Sequence, residues 1–284
     1  MVIGAHPDDP DIRFGGTAAK LARKGVRVRF VSAGNGKYGH HLMDQDELCA
    51  RRHKEMEAAA KVFGYVTMGL EDCEIEPTIE NRRKMVRLIR SFAPHFVFTH
   101  RPCDYHADHR AVSQLVTDAS YLLGLTKWCP EVPRPDVLPC VWYLPDNFTS
   151  VDGVLRNDLS VNVDDVVEQM FDAISCHVSQ VFEWLPYDQN IVDKVPKDWA
   201  TNKKARNEYL EHLWLDPLQR TFARRYHLPC VNAEVFELSE YGPNTTDVPR
   251  STSTRASRPT CPRRWARATC GPTRTRNSRS SPEG

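Results

Sequence analysis

Two short segments carry residue types that bind metals and transfer protons. The first, AHPDD, occupies residues 5–9, and the second, DYHADHR, occupies residues 104–110. Their three histidines and three of their four aspartates are the candidate site residues: His6, Asp8, Asp9, His106, Asp108 and His109. Imidazole nitrogens combined with a carboxylate oxygen, without thiolates, are typical of catalytic zinc sites, where three protein ligands leave a fourth position for water.

The groups left over in these segments could complete a hydrolytic site. Zinc lowers the pKa of water to about 7, and a neighbouring carboxylate can accept the proton. A protonated histidine can stabilise an oxyanion and protonate a leaving nitrogen. Each segment also has a structural interpretation, because Pro and Asp favour turns, Asp9 or Asp11 could cap a helix, and two histidines three apart share a helix face by chance. Their joint occurrence favours a metal site.

The surrounding elements predict an α/β fold. Apolar strands at residues 2–5 and 96–99 alternate with helices such as 107–123, and residues 164–184 and 198–226 are predicted to be largely helical. This alternation predicts an open, mostly parallel, Rossmann-like sheet with helices on both faces. Each segment follows a strand, so we expect both at the carboxyl edge of the sheet, where ligands bind.

The chain resembles the LmbE-like (PIG-L) family of zinc-dependent deacetylases over roughly its first 184 residues. The resemblance rests on AHPDD followed by GGT at residues 15–17, on ARRHKEMEAAAKVFG, on FVFTHRPCDYHADHRA and on CHVSQ. It implies three zinc ligands, His6, Asp9 and His109. It further implies that Asp8 is the general base and that His106 stabilises the oxyanion and assists departure of the amine.

Several further roles are implied by the same resemblance, each with a structural alternative. Asp108 is implied to orient His106, or else is a carboxylate at a helix start. Arg52, within an R-x-x-E element, is implied to contact a polar group of the substrate, or else forms an ion pair on a helix surface. His177 and Gln180, from an H-x-S-Q element, are implied to line the site or to pack between helices.

A Gly- and His-rich loop at residues 34–43 follows a predicted strand and could form part of the substrate pocket. Tyr38 is its candidate substrate-binding residue, whereas His40 and His41 are expected to be solvated at the surface. Pro10 stands where many family members carry an acidic residue. The resemblance therefore does not assign the chain to a substrate subgroup.

These observations predict a hydrolase that uses zinc to remove an acyl group, with acetyl favoured, from the nitrogen of an amino-sugar derivative such as an N-acetylglucosaminyl conjugate. A related zinc amidase acting on a larger amide, such as a thiol conjugate, and a non-catalytic metal- or sugar-binding module remain alternatives. A site with two histidines and one aspartate also accepts iron(II), cobalt or manganese. The first strand–helix turn lacks G-x-G-x-x-G, which argues against a nucleotide-binding enzyme.

Composition sets the expected location of the protein. The 284 residues contain no apolar stretch near the roughly 18 residues that span a bilayer. They begin without a secretory signal pattern, and the nine cysteines are scattered with no C-x-x-C pair. We therefore expect a cytoplasmic protein whose cysteines are reduced.

The predicted domain organisation is a catalytic domain at residues 1–244 followed by a tail at residues 245–284. The tail holds nine arginines and two acidic residues among many Ser, Thr and Pro residues, so it is predicted to be disordered. It is either a basic nucleic-acid arm or a non-native end. The main body lacks a basic pattern, so we expect no nucleic-acid partner. The expected partner is a small amino-sugar substrate, and a homo-oligomer is possible.

Overall fold

The strands assemble into one sheet in a computed structural model that describes residues 1–61, 64–146, 148 and 154–243. In chain order they are β1 (Val2–Gly4), β2 (Arg29–Gly34), β3 (Gly64–Leu70), β4 (Phe96–Thr99), β5 (Cys140–Tyr143), β6 (Leu159–Asn162) and β7 (Ala233–Leu238). Their order across the sheet is β3-β2-β1-β4-β5-β7-β6. Strands β1 to β5 run parallel, and β7 pairs antiparallel with both β5 and β6. The predicted mostly parallel α/β sheet is confirmed.

The α-helices of the described residues are α1 (Asp9–Arg23), α2 (Gln45–Ala59), α3 (Ile79–Phe92), α4 (Ala107–Leu122), α5 (Val167–Ile174), α6 (Leu185–Asp188), α7 (Lys203–Leu210) and α8 (Thr221–Arg225). The two predicted C-terminal helical stretches are interrupted by π-helical segments at Ser179–Trp184 and Glu211–Arg220. Pro217 lies inside the second segment. Because proline has no N–H to donate, a regular α-helical hydrogen-bond ladder cannot pass through it.

Neighbouring residues of the central strands are buried on opposite faces of the sheet. Val2 and Phe98 belong to a core that includes residues of α1 and α5. Ile3 and Val97 belong to a second core that includes residues of α3 and α4. Both faces are therefore covered by helices, which explains why these strands read as continuous apolar runs rather than alternating patterns.

Helix α1, which begins at Asp9, is fixed by a buried carboxylate from the distant strand β7. Glu234 accepts hydrogen bonds from the backbone N–H of Gly16 at 2.9 Å and of Thr17 at 2.7 Å. At Gly16 an added Cβ would lie 2.6 Å from Cγ1 of Val163, so the position has no room for a side chain. The GGT sequence therefore serves the close packing of the helix that follows AHPDD.

The two segments that carry the candidate metal ligands follow neighbouring strands. From β1 the chain crosses to β2 on one side, whereas β4 pairs with β1 on the other side. A reversal of strand order at this point opens a crevice beyond the carboxyl ends of the two strands, and such crevices hold ligands in open α/β sheets. The topology thus brings residues 5–9 and 104–110 to one crevice, as the sequence predicts.

The described residues belong to one compact unit of the chain. The predicted boundary at residue 244 and the basic tail at residues 245–284 lie outside the described residues. Within the described ranges, no helix combines the length and apolar character of a membrane span. Cys49, Cys73, Cys129, Cys140, Cys176 and Cys230 are free thiols.

Candidate metal centre and cleft

The turn after β1 is held by the histidine that follows β4. The backbone N–H of Ala5 donates to Nε2 of His100 at 3.0 Å, and the backbone N–H of His6 donates to Oδ2 of Asp9 at 2.8 Å. Gly4 ends the strand where an added Cβ would lie 2.6 Å from Cβ of Asp9. A side chain at Gly4 would therefore push Asp9 away from the crevice.

Three side-chain atoms from the two segments form a nearly equilateral triangle. Nδ1 of His6 lies 3.4 Å from Oδ2 of Asp9. Nε2 of His109 lies 3.4 Å from the same oxygen and 3.3 Å from Nδ1 of His6. Ligands placed tetrahedrally at about 2.0–2.1 Å from zinc are roughly 3.3–3.4 Å from one another. The donor types and their spacing therefore fit a tetrahedral metal ion such as zinc.

Carboxylates behind the triangle orient its two imidazoles. Nε2 of His6 lies 3.0 Å from Oδ1 of Asp72 and 3.4 Å from Oδ2 of Asp108. Nδ1 of His109 lies 2.9 Å from Oδ1 of Asp104. A carboxylate that accepts the N–H on one side of an imidazole leaves the opposite nitrogen with its lone pair free for a metal. Each histidine thus presents a ligand nitrogen toward the triangle.

The electrostatics of this cluster favour a positive charge. Burial opposes protonation of His6, but the surrounding carboxylates, led by Asp108, outweigh burial and raise the pKa of His6 well above its usual value. Burial would raise the pKa of Asp9, but the positive charge of His109 and His100 outweighs burial and holds the pKa of Asp9 well below its usual value. A divalent cation would satisfy the same carboxylates without protonating His6.

Asp8 lies beside this triangle and is paired with Arg52. Nη2 of Arg52 donates to Oδ1 of Asp8 at 3.1 Å, and Nη1 donates to the carbonyl of Gly36 at 3.1 Å. Arg52 is only 3% exposed, so it is not the helix-surface ion pair considered from the sequence. Glu55, its expected partner, instead accepts hydrogen bonds from the backbone N–H and the hydroxyl of Ser179.

His106 caps the N-terminus of α4. Its Nδ1 accepts a hydrogen bond from the backbone N–H of Asp108 at 3.1 Å, so the neutral ring carries its proton on Nε2. Burial and the positive charge of His6 lower the pKa of His106, which favours this neutral form over the protonated one expected from the sequence. The backbone of Asp108 contacts His106, while its carboxylate faces His6 and the backbone N–H of Cys73.

His6, Asp8, Asp9 and His106 line a cleft of about 230 Å³, whereas His109 and Asp108 are buried behind it. Its lining combines the candidate chemical groups with aromatic and apolar side chains: His6, Asp8, Asp9, Ile12, Arg13, Tyr38, Gly39, Arg52, Asp72, Cys73, Tyr105, His106, Gln180, Trp184, Leu185 and Trp214. Tyr38, Arg52 and Gln180 therefore lie where substrate contact was predicted. His177 is not part of this lining. It is buried, with Nε2 3.0 Å from Oδ2 of Asp11, which corresponds to the packing alternative.

The Gly- and His-rich loop is fixed to the C-terminal helices rather than solvated as expected. Nε2 of His40 lies 3.0 Å from Glu183, which also accepts two hydrogen bonds from Arg51 at 2.6 and 2.9 Å. The ring of His41 stacks on Tyr187 with a centroid separation of 3.7 Å. These contacts explain how a loop of small and polar residues holds Tyr38 at the cleft.

Sequence reasoning missed several residues of the site. Asp72 and His100 each follow a strand within two residues, so the sheet-edge rule could have found them. Asp104 belongs to the second segment but was not assigned a role. Trp184 and Trp214 line the cleft from the two π-helical segments, and no local pattern in the sequence marks that position.

Sequence comparisons identify related deacetylases. The family model PIG-L, described as GlcNAc-PI de-N-acetylase, matches residues 1–120. A diacetylchitobiose deacetylase of Thermococcus kodakarensis is 29% identical over 67% of this chain and 75% of its own length. A 1D-myo-inositol 2-acetamido-2-deoxy-alpha-D-glucopyranoside deacetylase of Streptomyces scabiei is 26% identical over 56% of this chain and 60% of its own.

Structural comparisons agree on the fold. An N,N'-diacetylchitobiose deacetylase from Pyrococcus horikoshii aligns with a TM-score of 0.65 and 23% identity, covering 84% of this chain and 82% of that one. GalB, a 4-carboxy-2-hydroxymuconate hydratase from Pseudomonas putida, aligns with a TM-score of 0.62 and 19% identity, covering 83% of this chain and 93% of that one.

A further sequence relative decides the family. The deacetylase YaiS of Escherichia coli, of uncharacterised function, is 30% identical over 53% of this chain and 80% of its own length. The chain therefore belongs to the PIG-L family of LmbE-like deacetylases.

Proposed function

We propose that this protein is a metal-dependent N-deacetylase that hydrolyses the acetamide of a small amino-sugar derivative. The observation that carries the proposal is the triangle of His6, Asp9 and His109, of which His6 and Asp9 line the same cleft as Asp8 and His106. The names of the family and of its deacetylase relatives specify substrates that contain N-acetylglucosamine, which supports both the reaction and the substrate class.

In this proposal His6, Asp9 and His109 hold the metal, for which zinc suits the donor set and iron(II), cobalt or manganese are alternatives. When bound, the metal supplies Lewis acidity that makes water acidic near neutral pH and polarises the amide carbonyl. The side chains that orient these ligands are the carboxylates of Asp72, Asp108 and Asp104. The ligands then need little rearrangement on binding.

Asp8 acts as the general base. Arg52 holds Oδ1 of Asp8, and no described residue donates a hydrogen bond to Oδ2, so that oxygen can take a proton from water in the cleft. The resulting hydroxide attacks the acetyl carbon. The proton taken up by Asp8 is available for the nitrogen when the C–N bond breaks, which balances the reaction as amide plus water giving acetate and amine.

His106 acts as the oxyanion-stabilising residue in this scheme. Because Nδ1 accepts the N–H of Asp108, the Nε2–H of the neutral ring remains as a donor at the cleft. A hydrogen bond that strengthens as the carbonyl oxygen becomes negative lowers the barrier without requiring a protonated imidazole. Asp108 acts through its backbone N–H on His106 and through its carboxylate on His6.

An amidase for a larger acyl group and a non-catalytic binding module are the competing functions. Release of acetate and of longer carboxylates from a matched series of N-acylglucosamines separates them. The proposed function predicts chelator-sensitive turnover of the N-acetyl compound and slower turnover as the acyl chain lengthens. Turnover that rises with acyl length would favour the larger-amide hydrolase. A metal-loaded protein without turnover of any member of the series would favour the binding module.

A further inference from the structure

Arg13 lines the cleft and has no role in the chemistry proposed above. It lies in the second turn of α1, and no described residue accepts a hydrogen bond from its guanidinium or forms an ion pair with it. Its Nη1 is buried without a hydrogen-bond partner. The other guanidinium of the cleft, that of Arg52, is by contrast matched by the carboxylate of Asp8. Arg13 is therefore an unmatched cation at this cleft.

A second unmatched donor lies near Arg13. Trp214 lines the same cleft, and its indole Nε1 is buried without an acceptor. Trp214 packs against the cluster that contains Ile12, the residue that precedes Arg13 on α1. Buried N–H groups without partners cost free energy, and such groups in a binding cleft indicate an acceptor that arrives with the ligand.

We propose that Arg13 and Trp214 form a subsite for an anionic group, a carboxylate or a phosphate, carried by the N-acetylated amino sugar. The guanidinium offers parallel N–H donors that match either oxyanion in a bidentate manner, and the indole N–H adds a further donor. The inference rests on the proposed function and deepens it, because it selects acidic amino-sugar conjugates over neutral ones as substrates.

The test compares three substrates on the full-length, metal-loaded protein. They are methyl N-acetylglucosaminide, N-acetylglucosamine 1-phosphate and carboxymethyl N-acetylglucosaminide, which carry no anion, a phosphate or a carboxylate at the same anomeric position. The wild-type protein is expected to prefer an anionic substrate by roughly 10- to 100-fold in kcat/KM, the range for hydrogen bonds to charged groups. The two anionic arms distinguish phosphate from carboxylate.

Substitution then assigns the preference to Arg13. In Arg13→Gln the preference should disappear through a higher KM for the anionic substrate, with a much smaller change in KM for the neutral substrate. Arg23→Gln is the matched control, because Arg23 lies on the exposed end of the same helix and pairs with Asp165. This control should keep the wild-type preference.

Binding of the product analogue glucosamine 1-phosphate, measured by calorimetry beside neutral glucosamine, provides a readout that does not depend on turnover. Tighter binding of the phosphate that is lost in Arg13→Gln supports the subsite even if no substrate is hydrolysed, in which case only the proposed function fails. Deacetylation of neutral and anionic substrates with equal kcat/KM, or an anion preference that survives in Arg13→Gln, overturns the subsite and leaves the proposed function standing.

Discussion

Nη2 of Arg52 lies 3.1 Å from Oδ1 of Asp8, and the two residues lie on different elements of the fold, at the start of α1 and in the middle of α2. The guanidinium is fixed in turn by the carbonyl of Gly36. At Gly36 the backbone φ is +71°, and an added Cβ would lie 2.6 Å from Nη1 of Arg52. The glycine thus allows the loop to approach the guanidinium that positions Asp8.

Asp8→Asn tests the general base. Asparagine keeps the size of the side chain and an oxygen for Arg52, but it cannot accept a proton from water. We expect kcat to fall by about 100- to 10,000-fold while the metal content stays at the wild-type level, because Asp8 is not among the proposed ligands. Asp165→Asn, at an exposed aspartate, serves as the control. Wild-type turnover by Asp8→Asn would refute the assignment of the base.

Asp104→Asn tests whether the carboxylate that contacts His109 contributes to metal binding. Asp104 lies 2.9 Å from Nδ1 of His109, so its loss should leave that imidazole less well oriented. We expect metal affinity to fall by about 10- to 100-fold in competition with a chromophoric chelator. Asp118→Asn removes a partly exposed partner of Arg82 and lies, like His109, on α4, so it should leave the affinity unchanged. Equal affinities of the Asp104 variant and the wild type would contradict a contribution of the Asp104 carboxylate to metal binding.

Arg90→Lys tests how the C-terminus of α4 is held. The guanidinium of Arg90 donates to six backbone carbonyls, those of Leu122, Leu123, Leu125, Trp128, Cys129 and Val132. Lysine has three donors, so several of these buried carbonyls would lose their partner. We expect the free energy of unfolding in urea to fall by about 3 kcal/mol or more.

Arg87→Lys provides the matched control for this loss. Arg87 lies on the same helix but pairs with Glu131 at the surface, so the change should leave the free energy of unfolding close to that of the wild type. Equal stabilities of the two variants would show that the carbonyl contacts of Arg90 contribute nothing beyond those of a surface arginine.

Glu234→Gln tests the buried carboxylate that holds α1. Burial raises the pKa of Glu234 from 4.5 to about 7, although the N–H groups of Thr17 and Gly16 act in the opposite direction. The folded state therefore binds the proton more tightly than the unfolded state. The stabilisation that comes from this tighter protonation of Glu234 is fully present below pH 4.5. It is lost as the pH rises through 7, a change on the order of 3 kcal/mol in the free energy of unfolding.

Glutamine does not titrate, so the difference in unfolding free energy between the wild type and Glu234→Gln isolates this effect. The wild type should lose stability relative to the variant between about pH 4 and pH 8. Effects of pH on metal binding are shared by both proteins and cancel in the difference. Parallel stability curves over this range would contradict a raised pKa at Glu234.

The part of the fold around the site could be predicted from the sequence because it depends on local patterns. The apolar strands β1 and β4 and the polar segments that follow them are contiguous in sequence, and the rules of parallel sheets bring them together. The antiparallel strands β6 and β7 were missed, because their pairing depends on contacts between residues far apart in the chain, such as Ser160 with Val235.

The contacts of individual side chains were harder to predict than the position of the site. His177 matches a motif, yet its partner Asp11 lies 166 residues away and keeps it out of the cleft. Trp214 lines the cleft from a π-helical segment that contains Pro217, where the regular α-helical register is interrupted. Neither effect leaves a periodic signal in the sequence, since both arise from tertiary packing.

Metal content and acetate release, measured side by side on the purified wild type and on His109→Ala, decide whether the triangle of His6, Asp9 and His109 is a catalytic metal site. We expect about one zinc or similar ion per wild-type chain, release of acetate from an N-acetylglucosamine derivative that stops on chelation, and loss of both metal and activity in His109→Ala. A wild-type protein that binds no metal, or a His109→Ala variant with unchanged metal content, would contradict the assigned site.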